Sequence, residues 1–325
     1  MSVHIFMVDE NNYQICVRRG LVGLPEPKDN SPRNKTVFDG LLSRLAAIKE
    51  NDYILMYVAG KKELRGVWQA EGKPFYDETI VWEDRIYPFR CKIKCTEYNF
   101  TNPISLNDVN DLRNSGKIWT WALQRASGAN AMFSISDQEF EILLDEYIKI
   151  NPFTICQNRI PEPYPFHDGN IVNNIHIEES NPKYESSLMV LLNDAFANER
   201  FTKIFGNYTD HLSYVPTNLG REMDIMLMFG NPKDSNQIMS YDIIEVKRDI
   251  FDCKALAQLI DYESWFLQKK VSGDLNMVRT TAIAKSFSKD AIDYVTKRSQ
   301  IERKPIKLLE YSIDSNNNLK LKQIF

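Results

Sequence analysis

The chain is poor in the residues that build compact thiol or metal sites. Its five cysteines, Cys16, Cys91, Cys95, Cys156 and Cys253, are odd in number, scattered and without CxxC spacing. That argues against both a disulfide framework and a zinc site, and leaves reduced core thiols. The four histidines, His4, His167, His176 and His211, are as dispersed, and His176-Ile177-Glu178 has no second histidine at HExxH spacing. No apolar run approaches membrane-spanning length, and the N-terminus lacks the basic, apolar and small-residue blocks of a secretory leader. The expectation is a soluble, cytoplasmic protein with no membrane partner.

Positive charge is also scarce, with a formal net charge of −4. The deficit is uneven. Residues 180–325 hold 20 Lys and Arg against 19 Asp and Glu, so the excess of acid lies in the first half. Lys297, Arg298, Arg303, Lys304 and Lys307 crowd one segment against Glu302 alone. Such a run is either a solvated face or a contact for phosphates.

A length of 325 residues suits two domains, each able to bury its own core. Asn151–Asn174, NPFTICQNRIPEPYPFHDGNIVNN, has four prolines and no sustained periodicity. It reads as a connector with enough aromatics to pack on a neighbour. The organisation expected is therefore 1–150, a proline-rich linker at 151–179, and 180–325.

The first half reads as short strands with a few helices, a small mixed barrel flanked by helices. His4–Val8 and Tyr13–Val17 are expected as strands, Thr36–Glu50 as a helix, and Asp52–Ala59 with Leu64–Ala70 as a hairpin around Gly60-Lys61-Lys62-Glu63. Ser136 with Glu139 three residues on is a capping box before Phe140, Leu143, Leu144 and Tyr147 at helical spacing. The second half reads as an α/β layer around a central sheet. Helices are expected over Tyr184–Glu199, Cys253–Lys269 and Ser288–Arg298. Strands are expected over Leu212–Pro216, Met223–Phe229, Met239–Lys247, Asn276–Ala284 and Ile306–Ile313.

The chemistry concentrates on two of those strands. Asp224 lies in one apolar run and Glu245-Val246-Lys247 ends the next. Strand side chains alternate, so Glu245 and Lys247 share a face. An acid and lysine on a strand commonly form nothing more than a surface ion pair. Here the flanking residues are apolar on both faces, where unpaired charge is expensive, and three charges need a reason. A divalent cation supplies one: two carboxylates offer hard oxygen ligands to Mg²⁺ (or Mn²⁺), which also binds phosphate oxygens. Lys247 would orient or help deprotonate the attacking water.

These residues resemble the PD-(D/E)xK nuclease superfamily, with its restriction-endonuclease-like and RecB-like fold, over about residues 180–315. The resemblance implies that Asp224 is the first acid, Glu245 and Lys247 the acid–x–lysine pair, and Glu185 a further acid on the opening helix. The implied metal ligands are Glu185, Asp224 and Glu245. Gln258 and Tyr262, one turn apart on the next helix, look like the Qxxx(Y) element of the RecB-like branch. The arrangement is most similar to NucS-type endonucleases. Arg221 and Arg248 flank the acids and are candidates for holding DNA phosphates.

Tryptophan is unevenly placed too. Trp68, Trp82, Trp119 and Trp121 all lie in the first half, and only Trp265 lies in the second. Core packing accounts for any one of them; a cluster near polar loops suggests a stacking pocket for a base. Trp119-Thr120-Trp121 reads as a strand-like segment with both rings on one side. A second resemblance, to the EVE and YTH branch of PUA-like domains, covers about residues 1–150. It rests on Lys49-Glu50-Asn51-Asp52-Tyr53, Leu64-Arg65-Gly66-Val67-Trp68, Ile80-Val81-Trp82 and Tyr87-Pro88-Phe89-Arg90. It implies base-binding by Trp82, Trp68, Trp119, Arg33 and Asn34. YTH domains usually place a cage tryptophan where Leu21-Val22-Gly23 stands here.

Together these readings give a modification-dependent DNA endonuclease that captures a modified base with one half and cuts with the other, as a homodimer if both strands are to be cut. The alternatives are a NucS-like repair or structure-specific nuclease, and a non-catalytic nucleic-acid reader.

Overall fold

The computed structural model describes residues 2–26, 31–98, 100–123, 131–152, 161–178, 181–314 and 318–325, with the backbone alone at 32, 33, 235 and 236. The chain divides into two compact units, Met1–Ile175 and His176–Phe325. Among the described residues no helix is long and apolar enough to cross a membrane.

The first unit runs β1 (Val3–Val8), α1 (Glu10–Arg19), β2 (Leu21–Leu24), α2 (Pro32–Ala46), β3 (Tyr53–Val58), β4 (Glu63–Ala70), β5 (Phe75–Tyr76), β6 (Phe89–Cys95), β7 (Ile104–Ser105), α3 (Leu106–Asn114), β8 (Met132–Ile135) and α4 (Asp137–Ile150). Its mixed sheet follows the order β2-β6-β4-β3-β1-β8, a half-barrel whose path ends at β2 and β8. The expected hairpin is the antiparallel β3–β4 pair. The capping box is present: Glu139 N donates to Ser136 Oγ at 3.3 Å and Ser136 N donates to Glu139 Oε2 at 3.2 Å.

Two expectations fail here. Tyr13–Val17 is not a strand but the middle of α1, which Asp9 caps by accepting from Asn12 N, and which ends at Gly20 in the left-handed region at φ 63°. Trp119-Thr120-Trp121 is irregular, because the Glu139 carboxylate takes the Trp119 and Thr120 N–H groups that a strand would offer to a neighbour. The described part of the expected connector packs on the first unit. Tyr76 N donates to Gly169 O at 2.6 Å and Gly169 N to Tyr76 O at 3.0 Å, and Phe166 lies 5.7 Å from the Phe75 ring.

The second unit contains β9 (Ile177–Glu178), β10 (Asn181–Pro182), α5 (Glu185–Ala197), α6 (Thr202–Phe205), β11 (Asp210–Pro216), β12 (Glu222–Asn231), β13 (Asp234–Phe251), α7 (Cys253–Lys269), β14 (Val278–Phe287), α8 (Lys289–Glu302), β15 (Ile306–Ile313) and β16 (Leu319–Gln323). Six strands form one sheet in sequence order from β11 to β16. β13, β14 and β15 are parallel, and the outer pairs are antiparallel. The parallel pairs need crossovers, which α7 and α8 supply. Leu188, Leu191, Leu192, Ala195 and Phe196 of α5 are fully or almost fully buried, so the apolar stripe read from the sequence faces the core.

Candidate active site

The site begins where two strands part. The β12–β13 ladder runs to the Ile225–Ile244 pair. One step further, Val246 N donates to Asp224 Oδ2 at 2.7 Å, so a carboxylate replaces the backbone acceptor a continued ladder would supply. Glu245 and Lys247 share a face as strand alternation demands, and Lys247 Nζ donates to Glu245 Oε1 at 2.7 Å. Val246 between them is fully buried. Just past Lys247 the β13–β14 register shifts between Lys247 and Ile250, an irregularity of the kind that re-aims side chains near functional sites.

Glu245 is fully buried, and its Oε2 has no hydrogen-bond partner among the described residues. A buried acceptor left unsatisfied costs about 1–3 kcal/mol, and more when charged. Burial pushes the Asp224 and Glu245 carboxyls above the ordinary range. Lys247 opposes both shifts, and the Asp224 charge raises Glu245 further. Burial by itself would pull the Lys247 ammonium down, but Asp224, Glu245 and Glu185 outweigh it and hold it above its usual value. This favours the ammonium form, which suits Lys247 to orienting groups and facing negative charge.

The donor set fits a magnesium-like ion, with a correction. Among the described residues no group of three His, Cys, Asp or Glu side chains is arranged to hold a metal. Mg²⁺ commonly takes one or two carboxylates and keeps several waters, so Asp224 and the orphaned oxygen of Glu245 suffice. Glu185, expected as a third ligand, stands 3.5 Å from Lys247 Nζ and is half-exposed, and its charge acts on Asp224, Glu245 and Lys247 alike.

Gln258 and Tyr262 are brought together on α7, Gln258 Nε2 donating to Tyr262 Oη at 2.9 Å. Tyr262 is fully buried, and its hydroxyl donates to Glu222 O at 2.7 Å. This pair anchors the start of β12 two residues before Asp224, a positioning role. The arginines differ. Arg221 is exposed and 3.6 Å from Asp261, whereas Arg248 pairs with its neighbour Asp249 at 2.5 Å and also donates to Lys183 O. The basic run is partly engaged within the unit: Arg298 bonds Glu263 and Glu302, Lys304 lies 2.8 Å from Glu263, and Lys307 donates to Ile204 O.

In the first unit the tryptophans have different surroundings. Trp82 is only 2% exposed. Its ring lies 5.0 Å from Tyr87 and under the Arg90 guanidinium at 5.3 Å, and a Cβ on Gly23 would come within 3.1 Å of it. Trp119 is half-buried after α3. Asn34 sits in the first turn of α2, its backbone N donating to Ser31 Oγ at 3.3 Å; the Arg33 side chain lies outside the described residues.

Trp68 lines a cavity of 260 Å³ with Tyr13, Arg65 and Phe100. Sequence reading missed Tyr13 because α1 was taken for a strand. The signals were there: Asp9 and Glu10 at one end, and Arg18-Arg19-Gly20 at the other, are the charges and glycine of a capped helix.

Residues 25–146 match the family model described as the EVE domain, in agreement with the resemblance read from the sequence. A search of curated proteins finds no match. Among solved structures, a repair endonuclease from Pyrococcus abyssi is 23% identical, over 39% of this chain and 49% of that one, with a TM-score of 0.29. An EndoMS–dsDNA complex is 19% identical, over 36% and 44%, with a TM-score of 0.25. Protein Atu2648 from Agrobacterium tumefaciens is 12% identical, over 50% of this chain and all of that one, with a TM-score of 0.31. The chain thus spans about half the length of the two endonuclease chains or less.

Proposed function

We propose that this chain is a metal-dependent DNA endonuclease of the cytoplasm, which reads a modified base with its first unit and hydrolyses the backbone with its second. The observation that carries the hydrolytic half is Glu245: a fully buried carboxylate with one oxygen unpartnered, beside a second raised carboxyl and a lysine cation. A protein without a cation to bind has little reason to keep such a group. The EVE match over residues 25–146 supports the reading half.

Asp224 and Glu245 would hold the ion. When bound, Mg²⁺ neutralises the two carboxylates and supplies positive charge to a phosphate oxygen and to an acidified water. The chain's own residues do the rest. Lys247 fixes Glu245 through its 2.7 Å bond and offers its positive charge to the phosphate oxygens as negative charge grows on them. Tyr262 and Gln258 hold the start of β12, and so the position of Asp224. Arg221 and Arg248 are exposed enough to exchange their carboxylate partners for DNA phosphates. One active site cuts one strand, so double-strand scission requires two copies of the chain.

The test is digestion of matched duplexes, unmodified or carrying defined cytosine or adenine modifications, with Mg²⁺ or with chelator. Asp224→Ala and Lys247→Ala are expected to lower the cleavage rate by at least about 100-fold while DNA binding persists. Undiminished Mg²⁺-dependent cutting by either variant would overturn the site assignment. Equal cutting of modified and unmodified duplexes would remove the reading half and favour a repair-type or structure-specific nuclease.

A further inference from the structure

The reader assignment implied Trp82, which is almost fully buried. A defined open space lies beside Trp68. The 260 Å³ cavity is lined by Tyr13 of α1, by Arg65, Gly66 and Trp68 of β4, and by Thr96 and Phe100 of the segment after β6. Trp68 and Tyr13 meet edge to face at 6.0 Å, and both are half-buried. Phe100 stacks on Tyr147 at 4.8 Å with the rings 2° from parallel. Aromatic rings on several walls and a volume below the roughly 300 Å³ of drug-sized pockets suit one flat heterocycle.

Gly66 is part of the construction. It adopts φ 145°, and a Cβ there would lie 2.8 Å from Leu55 and 3.1 Å from the Trp68 ring. Only glycine lets that ring lie against its own strand. The hairpin register also shifts opposite this residue, between Ile54 and Met56.

The electrostatics decide what enters. Arg65 is the one cation lining the cavity among the described residues. Its guanidinium lies 4.7 Å over the Tyr13 ring, bonds Glu10 at 3.0 Å, and grips Glu63 through Nε at 2.9 Å and Nη2 at 2.5 Å. The hydrogen bond from Arg65 holds the Glu10 carboxyl below its usual range, so the partner stays charged. A guanidinium saturated by two carboxylates has no charge left for a phosphate; its planar face remains available for stacking.

We propose that this cavity, not the Trp82 position, is where the first unit takes a base: an uncharged planar nucleobase inserted against Trp68, with its phosphate left outside. This rests on the reading of the first unit as a base reader. Base–aromatic stacking is sequence-tolerant by itself, so discrimination falls to edge groups such as the Thr96 hydroxyl, which now donates to Val67 O at 2.9 Å.

The experiment titrates the full chain into 2-aminopurine riboside and its 5′-monophosphate, following the fluorescence quenching that stacking produces. The wild type is expected to bind both within threefold of each other. Trp68→Ala and Gly66→Ala are each expected to weaken binding at least tenfold, with the thermal transition of the second unit unmoved. If Trp68→Ala binds normally while Trp82→Phe loses binding, the cavity is wrong and base reading survives. Binding of the monophosphate more than tenfold tighter overturns the charge argument. Absence of quenching by the wild type overturns the proposal together with the reader reading.

Discussion

At the residue scale, buried carboxylates divide by what faces them. Asp242, three residues before Glu245 on β13, is 1% exposed, and Thr281 Oγ1 donates to its Oδ1 at 2.9 Å. Burial pushes its carboxyl up to about 6. The folded state therefore favours the protonated acid. That stability is complete below the unfolded value near 4 and is lost as pH rises through 6, an effect on the order of 3 kcal/mol. Asp242→Asn keeps an acceptor for Thr281 but cannot ionise. Its urea-unfolding free energy should gain on the wild type by about that amount between pH 4 and 7.5. Parallel profiles would show that Asp242 does not titrate in this window. Asp242 was read only as part of an apolar strand; its depth and its Thr281 partner were not visible before the sheet was.

At the scale of elements, periodicity and caps were informative where both were present. Cys253–Lys269 and Ile306–Ile313 have the limits expected of them, and the Ser136 capping box forms as its spacing implies. Ser136→Ala should cost about 1 kcal/mol, measured by denaturant unfolding of the full chain, since it strips a hydrogen bond from the first turn of α4. Glu139, the other half of the box, also accepts from Thr120 N at 2.9 Å and so fastens an irregular segment. A loss under about 0.3 kcal/mol would mean that Glu139 holds its place unaided. Element errors had a common cause. Tyr13–Val17 is short, and a short apolar alternation fits a strand as well as one face of a helix. Leu319–Gln323 was missed altogether, as its residues are mostly polar and its pairing with β15 is what makes it a strand.

At the scale of the molecule, two units each hold a sheet and a core. The boundary at Ile175 and His176 leaves the described part of the proline-rich stretch with the first unit, where its Tyr164 reaches Arg90 and its Phe166 packs on Phe75. A fragment beginning at His176 should fold alone and show one cooperative thermal transition. A fragment ending at Asn151 should be less stable than one ending at Ile175. Differential scanning calorimetry of the three chains checks this, and an unfolded 176–325 fragment would refute the independence of the second unit.

Sequence alone determined the two-part organisation, the apolar stripes, most strands of the second unit, and the placement of Glu245 and Lys247 on one face. Each follows from local rules of period and chain stiffness. Tertiary structure alone decided what those side chains meet. It buried Glu245 with an oxygen unpartnered, gave Lys247 enough negative neighbours to stay charged, and turned Glu185 toward the lysine. It also buried Trp82 and left a cavity beside Trp68. Burial and charge environment depend on residues distant in the chain, and no local pattern carries them.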